Sequence, residues 1–354
     1  MTPLQTLGEM MRERTAVAAP ELVEQLDDGK VRCFACGHRC MVAPGRSGVC
    51  RVRFNEGGVL RVPHGYVAAL QCDPIEKKPF FHALPGTDAF SFGMLGCDLH
   101  CGYCQNWVTS QALRDPAAEA TPRDISADEL VGGALRLGAS TVASTYNEPL
   151  ITAEWAVEVF RKAKQSGLRC AFISNGNGTP EVLDYLRPHL DFYKVDLKGF
   201  DDQNYRRLGG VLKHVCDTIV MLKERGVWVE IVTLLVPGFN DSEDEVRKLT
   251  AFVASVDPEM PWHVTAFHSD YKMTDRGDTE TKSLLRAAEM GREAGLRFVY
   301  AGNRPGWVGK WENTYCPGCD ELLVERHGFH VRSNRLAGTG RCPSCQRTIP
   351  GVWS

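Results

Sequence analysis

Short apolar runs alternate with longer amphipathic segments between about residue 88 and residue 301. The segments between the runs space their apolar residues as helices do, for example ITAEWAVEVFRKAKQSG and TKSLLRAAEMGREAG. Such alternation predicts a parallel sheet with helical crossovers, and six or seven repeats favour an α/β fold of the partial parallel (β/α)6-barrel type. Ligands of such sheets bind at the carboxyl ends of the strands. The predicted strands are AFSFGML, STVASTY, CAFIS, FYKVD, WVEIVTLLV and WHVTAF, with RFVYAG as a further candidate.

The two ends of the chain lack this alternation. Residues 31 to 62 are rich in Cys, Gly and Arg and predict a small module stapled by metal, and GYVAALQCDPIEKKPFFHALPG is predicted to be a linker. We expect an N-terminal helix and module over residues 1–69, a barrel over 70–305 and a C-terminal module over 306–354. Apolar positions at helical spacing predict one amphipathic helix over residues 1 to about 30: Leu4, Leu7, Met11, Leu22 and Leu26.

The composition is that of an ordinary globular protein, with 43% apolar and 24% charged residues in a chain of 354. No run of about 18 uninterrupted apolar residues predicts a membrane-spanning helix. The N-terminus carries no apolar signal core, so we expect a cytoplasmic protein. A net charge of −3 without a basic block argues against binding to nucleic acid or to an anionic membrane.

Fourteen cysteines are the main chemical signal. In a reducing cytosol such thiols bind metals or carry out redox chemistry rather than pair. Cys72, Cys170 and Cys216 are scattered, and we expect them to be small buried apolar residues. The others form an N-terminal four (Cys33, Cys36, Cys40, Cys50), a central three (Cys97, Cys101, Cys104) and a C-terminal four (Cys316, Cys319, Cys342, Cys345).

The central three follow the first predicted strand with the spacing CxxxCxxC. Three thiolates can hold a 4Fe–4S cluster that leaves one iron open, whereas four would close it. An open iron can bind a substrate or cofactor, as the open position of a catalytic zinc does. Zinc is the alternative, and it would recruit Asp98 or His100 as a fourth ligand. The position at the end of a barrel strand favours the cluster.

This loop, with Tyr103 before its last cysteine, is similar to the cluster loop of the radical S-adenosylmethionine (SAM) superfamily. With YNEP, DPIEKKP and the C-terminal cysteine pairs, the pattern over about residues 70 to 305 resembles the AmmeMemoRadiSam-system radical SAM enzymes, relatives of the pyruvate formate-lyase activating enzymes. The resemblance implies an open iron that chelates the amino and carboxylate groups of SAM. It implies that one electron cleaves the sulfonium bond and gives methionine and a 5′-deoxyadenosyl radical, which abstracts hydrogen from a substrate.

The resemblance also assigns cofactor-binding roles to polar residues at the strand ends, and to Tyr103 in the loop. Glu148 of TYNEP would face the SAM amino group, since a carboxylate suits an ammonium. Tyr146 and Asn147 stand where the family carries glycines. The SNG turn matches the family's polar turn near the SAM ribose and carboxylate, through Ser174 and Asn175.

Two later strand ends complete the predicted SAM site. Asp196 and Lys198 of DLK lie two apart, so they point to one side of the strand end. The resemblance implies that they hold the ribose hydroxyls and the methionine carboxylate. His268 of AFHSDYKM lies where the family carries a SAM-contacting histidine, and we expect Tyr271 and Lys272 to line the substrate opening.

The flanking cysteine groups predict two further metal sites. CPGC and CPSC form the two knuckles of a zinc ribbon with a structural or docking role, although a mononuclear iron has the same ligands. The N-terminal four favour zinc, with His38 as a spare ligand. An accessory cluster is the alternative there, and it would serve as an electron relay.

Three functions follow from the sequence. The resemblance favours an activase-like enzyme that abstracts hydrogen from a glycine of a partner protein, with a flavodoxin or ferredoxin as low-potential electron donor. The alternatives are a radical SAM enzyme that modifies a small molecule, and a metal-binding adaptor without catalysis. No catalytic side chain is predicted beyond the cluster and SAM, and the sequence assigns no role to the segment Asp73–His82.

Overall fold

The computed structural model describes residues 6–354, so Leu4 of the predicted N-terminal helix lies outside the described residues. The helices are α1 (Leu7–Glu13), α2 (Trp107–Ser110), α3 (Ala127–Arg136), α4 (Ala153–Gln165), α5 (Pro180–Leu186), α6 (Asp202–Arg207), α7 (Leu212–Glu224), α8 (Glu243–Val256) and α9 (Thr281–Glu293). The strands are β1 (Thr15–Val17), β2 (Val23–Gln25), β3 (Val31–Cys33), β4 (Met41–Val42), β5 (Phe54–Glu56), β6 (Val59–Pro63), β7 (Tyr66–Val67), β8 (Ala69–Pro74), β9 (Asp88–Gly93), β10 (Arg123–Asp124), β11 (Thr141–Ser144), β12 (Arg169–Ser174), β13 (Phe192–Asp196), β14 (Trp228–Leu235), β15 (Trp262–Ala266), β16 (Val299–Gly302), β17 (Thr314–Tyr315), β18 (Leu322–His327) and β19 (His330–Asn334).

One eight-stranded sheet organises the chain, in the order β16-β15-β14-β13-β12-β11-β9-β8. The strands β9 and β11 to β16 pair in parallel, and β8 adds an antiparallel edge. Each of the six predicted apolar runs contributes a strand, and RFVYAG joins them as β16. The predicted parallel α/β fold is confirmed. The sheet is open, since β8 and β16 form its two edges.

The crossover helices cover one face of this sheet. On α4, buried Trp155, Val159 and Phe160 fall at helical spacing and pack against the sheet beside Phe92 and Phe172. Burial of such side chains contributes roughly 1.5–3 kcal/mol each. The helices therefore fix the positions of the strand ends, where the polar motifs lie.

The predicted N-terminal helix is wrong beyond its first two turns. The α1 helix ends at Glu13, and the chain then forms β1, which pairs with β6, and β2, which pairs with β3. Ala19 precedes Pro20 and is extended, with φ −59° and ψ 138°, because a residue before proline disfavours the helical region. Leu22 ends a single 3-10 turn over Pro20–Leu22 and Leu26 lies outside any helix, so neither belongs to a continuous N-terminal helix.

The predicted linker is also wrong, because it contains β7 and β8. Leu70 of β8 lies opposite Phe92 of β9, so this segment extends the main sheet. A turn of 3-10 helix over Ile75–Lys77 then carries the chain across the sheet.

The C-terminal module is a three-stranded antiparallel sheet of β17, β18 and β19. It packs against the main sheet through Phe81, Phe298 and Tyr300, which share an apolar cluster with Leu323 and Trp353 of the module. Among the described helices, none combines the length and the apolar character that crossing a bilayer requires.

Candidate active site

A cavity of about 420 Å³ lies at the carboxyl ends of the parallel strands. The walls combine the central cysteines with polar residues from several strand ends, as the topology predicts. The predicted site residues that line it are Cys97, Cys101, Tyr103, Cys104, Tyr146, Asn147, Glu148, Asn175, Asp196 and Lys198.

The cysteine loop is held in place by local backbone geometry. Gly96 begins it in the left-handed region with φ +94°, where glycine is favoured. The backbone N–H of Leu99 donates to Cys97 Sγ at 3.3 Å, and Cys104 Sγ lies 3.1 Å from the Ser110 hydroxyl. Burial raises the pKa of Cys101 to about 12, so the thiol keeps its proton until a metal displaces it.

The two alternative zinc ligands do not form a close group with the central three, although Asp98 Oδ1 lies 3.7 Å from Cys97 Sγ. The carboxylate of Asp98 accepts from the side-chain amides of Asn175 at 2.7 Å and Asn177 at 2.8 Å. His100 is exposed, and its ring lies against Gly209. Within residues 6–354, the only group of three or more metal ligands within 4.8 Å of one another is the C-terminal four. The loop geometry therefore fits a cluster better than a single ion.

Glu148 is a buried carboxylate held by three donors. It accepts from Ser174 Oγ at 2.7 Å, from Asn175 N at 2.8 Å and from Leu150 N at 3.1 Å. Burial, followed by the charge of Asp98, raises the pKa of Glu148 to about 8. None of the ion pairs among the described residues includes Glu148, although its charge acts on the Lys194 ammonium. A ligand that brings a positive group into the cavity would supply that missing partner.

Asp196 and Lys198 lie together at the end of β13, as predicted, and Lys194 joins them. The Lys194 ammonium donates to one carboxylate oxygen of Asp196, and Lys198 Nζ lies 3.5 Å from the other. Burial alone would raise the pKa of Asp196, but the two lysines hold it below its ordinary value. Burial lowers the pKa of Lys194 despite its contact with Asp196. The group offers both charges to a polar ligand.

Three other predicted residues, Tyr103, Tyr146 and Asn147, differ in the hydrogen-bond partners of their polar groups. The Tyr103 hydroxyl is buried without a hydrogen-bond partner in the described structure, so it fits a bound polar group. The Tyr146 hydroxyl lies 3.3 Å from Lys78 Nζ. Asn147 accepts from the backbone N–H of Met94 at 3.0 Å, which fixes the turn after β11 to the end of β9.

The last predicted group does not reach the cavity. His268 is exposed, and its Nδ1 lies 3.4 Å from the carbonyl oxygen of Ser269. The Tyr271 hydroxyl donates to Asp115 at 2.7 Å, and Lys272 forms an ion pair with the same carboxylate at 2.8 Å. The loop after β15 is therefore fastened to the segment that follows the cysteine loop.

The segment Asp73–His82, without a predicted role, supplies one wall of the cavity. Lys78 lines it and pairs with Asp73 at 3.0 Å. Glu76 also lines it and is completely buried, 3.6 Å from the guanidinium of Arg326 in the C-terminal module. Burial, only partly offset by Arg326, raises the pKa of Glu76 to about 7. The segment is anchored behind this wall, where the N–H groups of Phe81 and His82 donate to the buried Glu230 carboxylate.

Sequence reasoning missed Lys78, Glu76 and Lys194. A charged residue within the apolar strand FYKVD, two positions before Asp196, was a usable signal for Lys194. No such signal marked Lys78 or Glu76, because their segment reads as a solvated loop.

The two flanking cysteine groups differ in spacing. In the C-terminal four, Cys316 Sγ lies 3.5 Å from Cys345 Sγ and Cys319 Sγ lies 3.6 Å from Cys342 Sγ. This spacing suits one tetrahedral ion. No three thiols of the N-terminal four lie within 4.8 Å of one another.

Comparison with known proteins agrees with this geometry. The family model of the radical SAM superfamily matches residues 93–250. An uncharacterised protein of Methanocaldococcus jannaschii is 38% identical over 92% of this chain and 97% of its own length. The chain belongs to the radical SAM superfamily. It is related to the pyruvate formate-lyase-activating enzyme of Clostridium pasteurianum, which is 26% identical over 51% of this chain and 80% of that enzyme.

Among solved structures, a radical SAM methyltransferase from Sphaerobacter thermophilus aligns with a TM-score of 0.49 and 15% identity, over 87% of this chain and 81% of that chain. The superfamily implies a 4Fe–4S cluster and SAM. The residues of the cavity fit both groups, because three thiols converge beside a carboxylate without a cation and a tyrosine hydroxyl without a partner.

Proposed function

We propose that this protein cleaves SAM reductively and abstracts a hydrogen atom from a substrate bound in the cavity of the parallel sheet. The observation that carries the proposal is the meeting of Cys97, Cys101 and Cys104 with the unpaired Glu148 carboxylate in one cavity. When bound, the cluster and SAM supply the electron transfer and the carbon radical. The chain binds, orients and shields them.

Each polar group has a role in this proposal. Glu148 accepts from the amino group of SAM, and Lys198 binds its carboxylate. Asp196 accepts from the ribose hydroxyls. Lys194 donates to Asp196 and stabilises the negative charge of the carboxylate. Asn175 and Asn177 restrain Asp98 and thereby the cysteine loop. With SAM and substrate bound, the cavity walls would shield a primary carbon radical from water.

For the substrate, we propose an activase-like reaction on a protein, supported by the relatedness to pyruvate formate-lyase-activating enzymes. A flavodoxin or ferredoxin would deliver the electron, and we assign the protein to the AmmeMemoRadiSam system because its motifs YNEP and DPIEKKP and its C-terminal cysteine pairs resemble those of that system's radical SAM enzymes. Modification of a small polar molecule is a second candidate. It is favoured by the buried charges of Glu76 and Lys78 on the cavity wall, which would recognise polar groups of a ligand.

The test uses anaerobically reconstituted full-length protein with dithionite and SAM. We expect 5′-deoxyadenosine from the wild type and none from Cys101→Ala, while metal bound to the C-terminal four is unchanged. Cleavage retained in Cys101→Ala would overturn the cluster assignment. A protein without cleavage but with a spectroscopically verified cluster would favour the adaptor function.

A second measurement separates the substrates. A glycyl-radical EPR signal in a co-incubated protein identifies the activase reaction. Deuterium transfer from a labelled small molecule into 5′-deoxyadenosine identifies the second candidate. We propose structural zinc for the C-terminal four, which metal analysis of the same sample measures.

A further inference from the structure

The N-terminal four cysteines lie against the loop that carries the central three. The backbone N–H of Gly37 donates to the carbonyl of Asn177 at 2.8 Å, and the His38 ring contacts the carbonyl of Asp98 at 3.2 Å. On the other side, a Cβ added to Gly96 would lie 3.2 Å from the carbonyl oxygen of Cys50. The N-terminal module therefore contacts the chain immediately before and after Cys97, and His38 is engaged there rather than held as a spare ligand.

The spacing of the four thiols argues against a single metal ion. A tetrahedral zinc with Zn–S bonds of about 2.3 Å brings its four sulfurs to within roughly 4 Å of one another. The C-terminal four meet this condition, whereas no three of the N-terminal thiols lie within even 4.8 Å. The three central thiols are likewise not all within 4.8 Å of one another. A cubane spaces its ligands more widely, because each thiolate binds a different iron.

The surroundings of the four thiols also call for an anionic group with acceptor atoms. Cys33, Cys36 and Cys50 are buried. Arg53 is 1% exposed and interacts electrostatically with Cys33 and Cys50. Its two terminal nitrogens bind Glu154, but its Nε–H has no acceptor in the described structure. A buried donor of this kind costs about 1–3 kcal/mol unless a partner is present.

We propose that the N-terminal four cysteines bind a second, fully ligated 4Fe–4S cluster that passes single electrons to the cluster of the central three. A low-potential one-electron donor protein is oxidised as the second cluster is reduced. The second cluster is then re-oxidised as the first is reduced, and no bond forms or breaks in the transfer. The sulfurs of the second cluster accept from Arg53 Nε. The relay rests on the proposed function, whereas the identity of the bound group does not.

The test is metal and sulfide analysis of the full chain after anaerobic reconstitution. We expect about eight iron and eight sulfide atoms per wild-type chain. The triple variant Cys97→Ala/Cys101→Ala/Cys104→Ala should keep about four of each, with the EPR signal of a reduced 4Fe–4S cluster after dithionite. A triple variant that holds no iron, or zinc in place of it, would overturn the proposal. The iron content of this variant is measured without SAM cleavage. It therefore tests the second cluster even if the proposed function fails.

A second pair of variants keeps the test independent of the triple variant's folding. Cys33→Ala/Cys36→Ala, which leaves only two thiols in the N-terminal four, should lower the iron content about twofold, whereas Cys216→Ala, on α7 and outside all three groups, should leave it unchanged. In Cys33→Ala/Cys36→Ala, the ratio of ferredoxin-driven to dithionite-driven SAM cleavage should fall about tenfold, because dithionite can reach the first cluster directly. Equal iron contents in the two variants would refute the second cluster, and equal ratios would refute the relay.

Discussion

Tyr146 shows what a motif can and cannot tell at the scale of one residue. Its backbone lies in the left-handed region with φ +69°, a conformation that favours glycine. The family that the sequence resembles carries glycine at this position. The strain of roughly 1–3 kcal/mol is tolerated because the Thr109 hydroxyl donates to the Tyr146 carbonyl at 2.6 Å. The sequence indicated that a side chain stands in the turn. It did not indicate that the hydroxyl meets Lys78, which comes from a segment 68 positions earlier.

Glu148 gives the site a pH dependence. Its raised pKa of about 8 means that the empty site holds a proton at neutral pH. A positive ligand group favours the ionised form, so SAM affinity should rise by at most about tenfold per pH unit as pH increases towards about 8, and then fall as the amino group of SAM loses its proton. Isothermal titration calorimetry of the reconstituted protein in buffers of different ionisation enthalpy would count the protons released.

The variant Glu148→Gln separates this effect from the titration of SAM itself. The α-amino group of SAM also titrates near pH 8, and it does so equally with both proteins. We expect weaker binding in the variant and a smaller release of protons below pH 8. Identical proton release from wild type and variant would show that Glu148 is already ionised in the free protein.

At the scale of elements, the cysteine loop depends on one glycine. A Cβ at Gly96 would lie 2.8 Å from Val52 Cγ1, and the residue also needs its positive φ. Gly96→Ala should therefore displace the loop from the N-terminal module, destabilise the protein by about 1–3 kcal/mol or more, and lower the iron content. Iron analysis and thermal unfolding measure both effects.

Gly102 is the matched control in the same loop. A Cβ there meets no atom within 4 Å, and its φ lies outside the positive range. Gly102→Ala should keep the wild-type iron content and unfolding temperature. If both variants lose iron equally, the loop is sensitive to any substitution and the contact with Val52 is not the cause.

A buried ion pair joins the N-terminal module to α4. Arg53 and Glu154 form two hydrogen bonds of 2.7 Å, with side chains 2% and 9% exposed. Glu154→Gln removes the carboxylate that binds this buried guanidinium through two hydrogen bonds, so we expect a loss of about 3–5 kcal/mol in the free energy of unfolding. Chemical denaturation measures this loss.

An exposed ion pair of the same helix provides the comparison. Lys162 pairs with Asp128 at 2.7 Å, but the two side chains are 37% and 76% exposed. Asp128→Asn should cost less than about 1 kcal/mol. Equal losses in the two variants would mean that burial of Arg53 does not decide its contribution.

At the scale of the whole molecule, the sequence predicted the repeated part and missed the parts that depend on distant partners. Apolar runs between helical segments were sufficient to predict β9 and β11 to β16. Short apolar runs and segments with helical spacing can both be recognised from neighbouring residues alone. The edge strand β8 reads as a polar linker, and its strand character comes from pairing with β9. Likewise β1 and β2 lie within the predicted N-terminal helix, but Pro20 and pairing with β6 and β3 override the helical spacing of the apolar residues around them.

The residues of the candidate site also fall into those that the local sequence predicts and those that depend on distant partners. Residues at strand ends were predicted, since parallel topology brings all carboxyl ends to one edge. His268 follows its strand end but turns outward. Glu76 and Lys78 reach the cavity only because the Asp73–His82 segment is fastened to Glu230 in β14 and to Arg326 in β18. Contacts between segments so far apart leave no local pattern in a single sequence.

The C-terminal module couples metal binding to the stability of the whole chain. Its core contacts Phe81 and Tyr300, and its Phe329 lines the cavity. Cys319 is exposed, so Cys319→Ser removes a metal ligand without opening a cavity in the core. Metal binding stabilises such small units. We therefore expect Cys319→Ser to lose the bound metal and to lower the unfolding temperature by several degrees, since each 1 kcal/mol corresponds to roughly 2–4 °C in domains of about 150–250 residues.

Iron should be unaffected in this variant, because the C-terminal four lie outside the cavity that holds the central three. Cys216→Ser, which changes a thiol on α7 outside every cysteine group, should match the wild type in both metals. Metal analysis and differential scanning calorimetry of the three proteins measure the outcome. If Cys319→Ser loses iron together with its own metal, the module holds the cysteine loop in place as well as the sheet. If it unfolds at the same temperature as Cys216→Ser, the packing against Phe81 and Tyr300 forms without metal, and the C-terminal ion has no structural role.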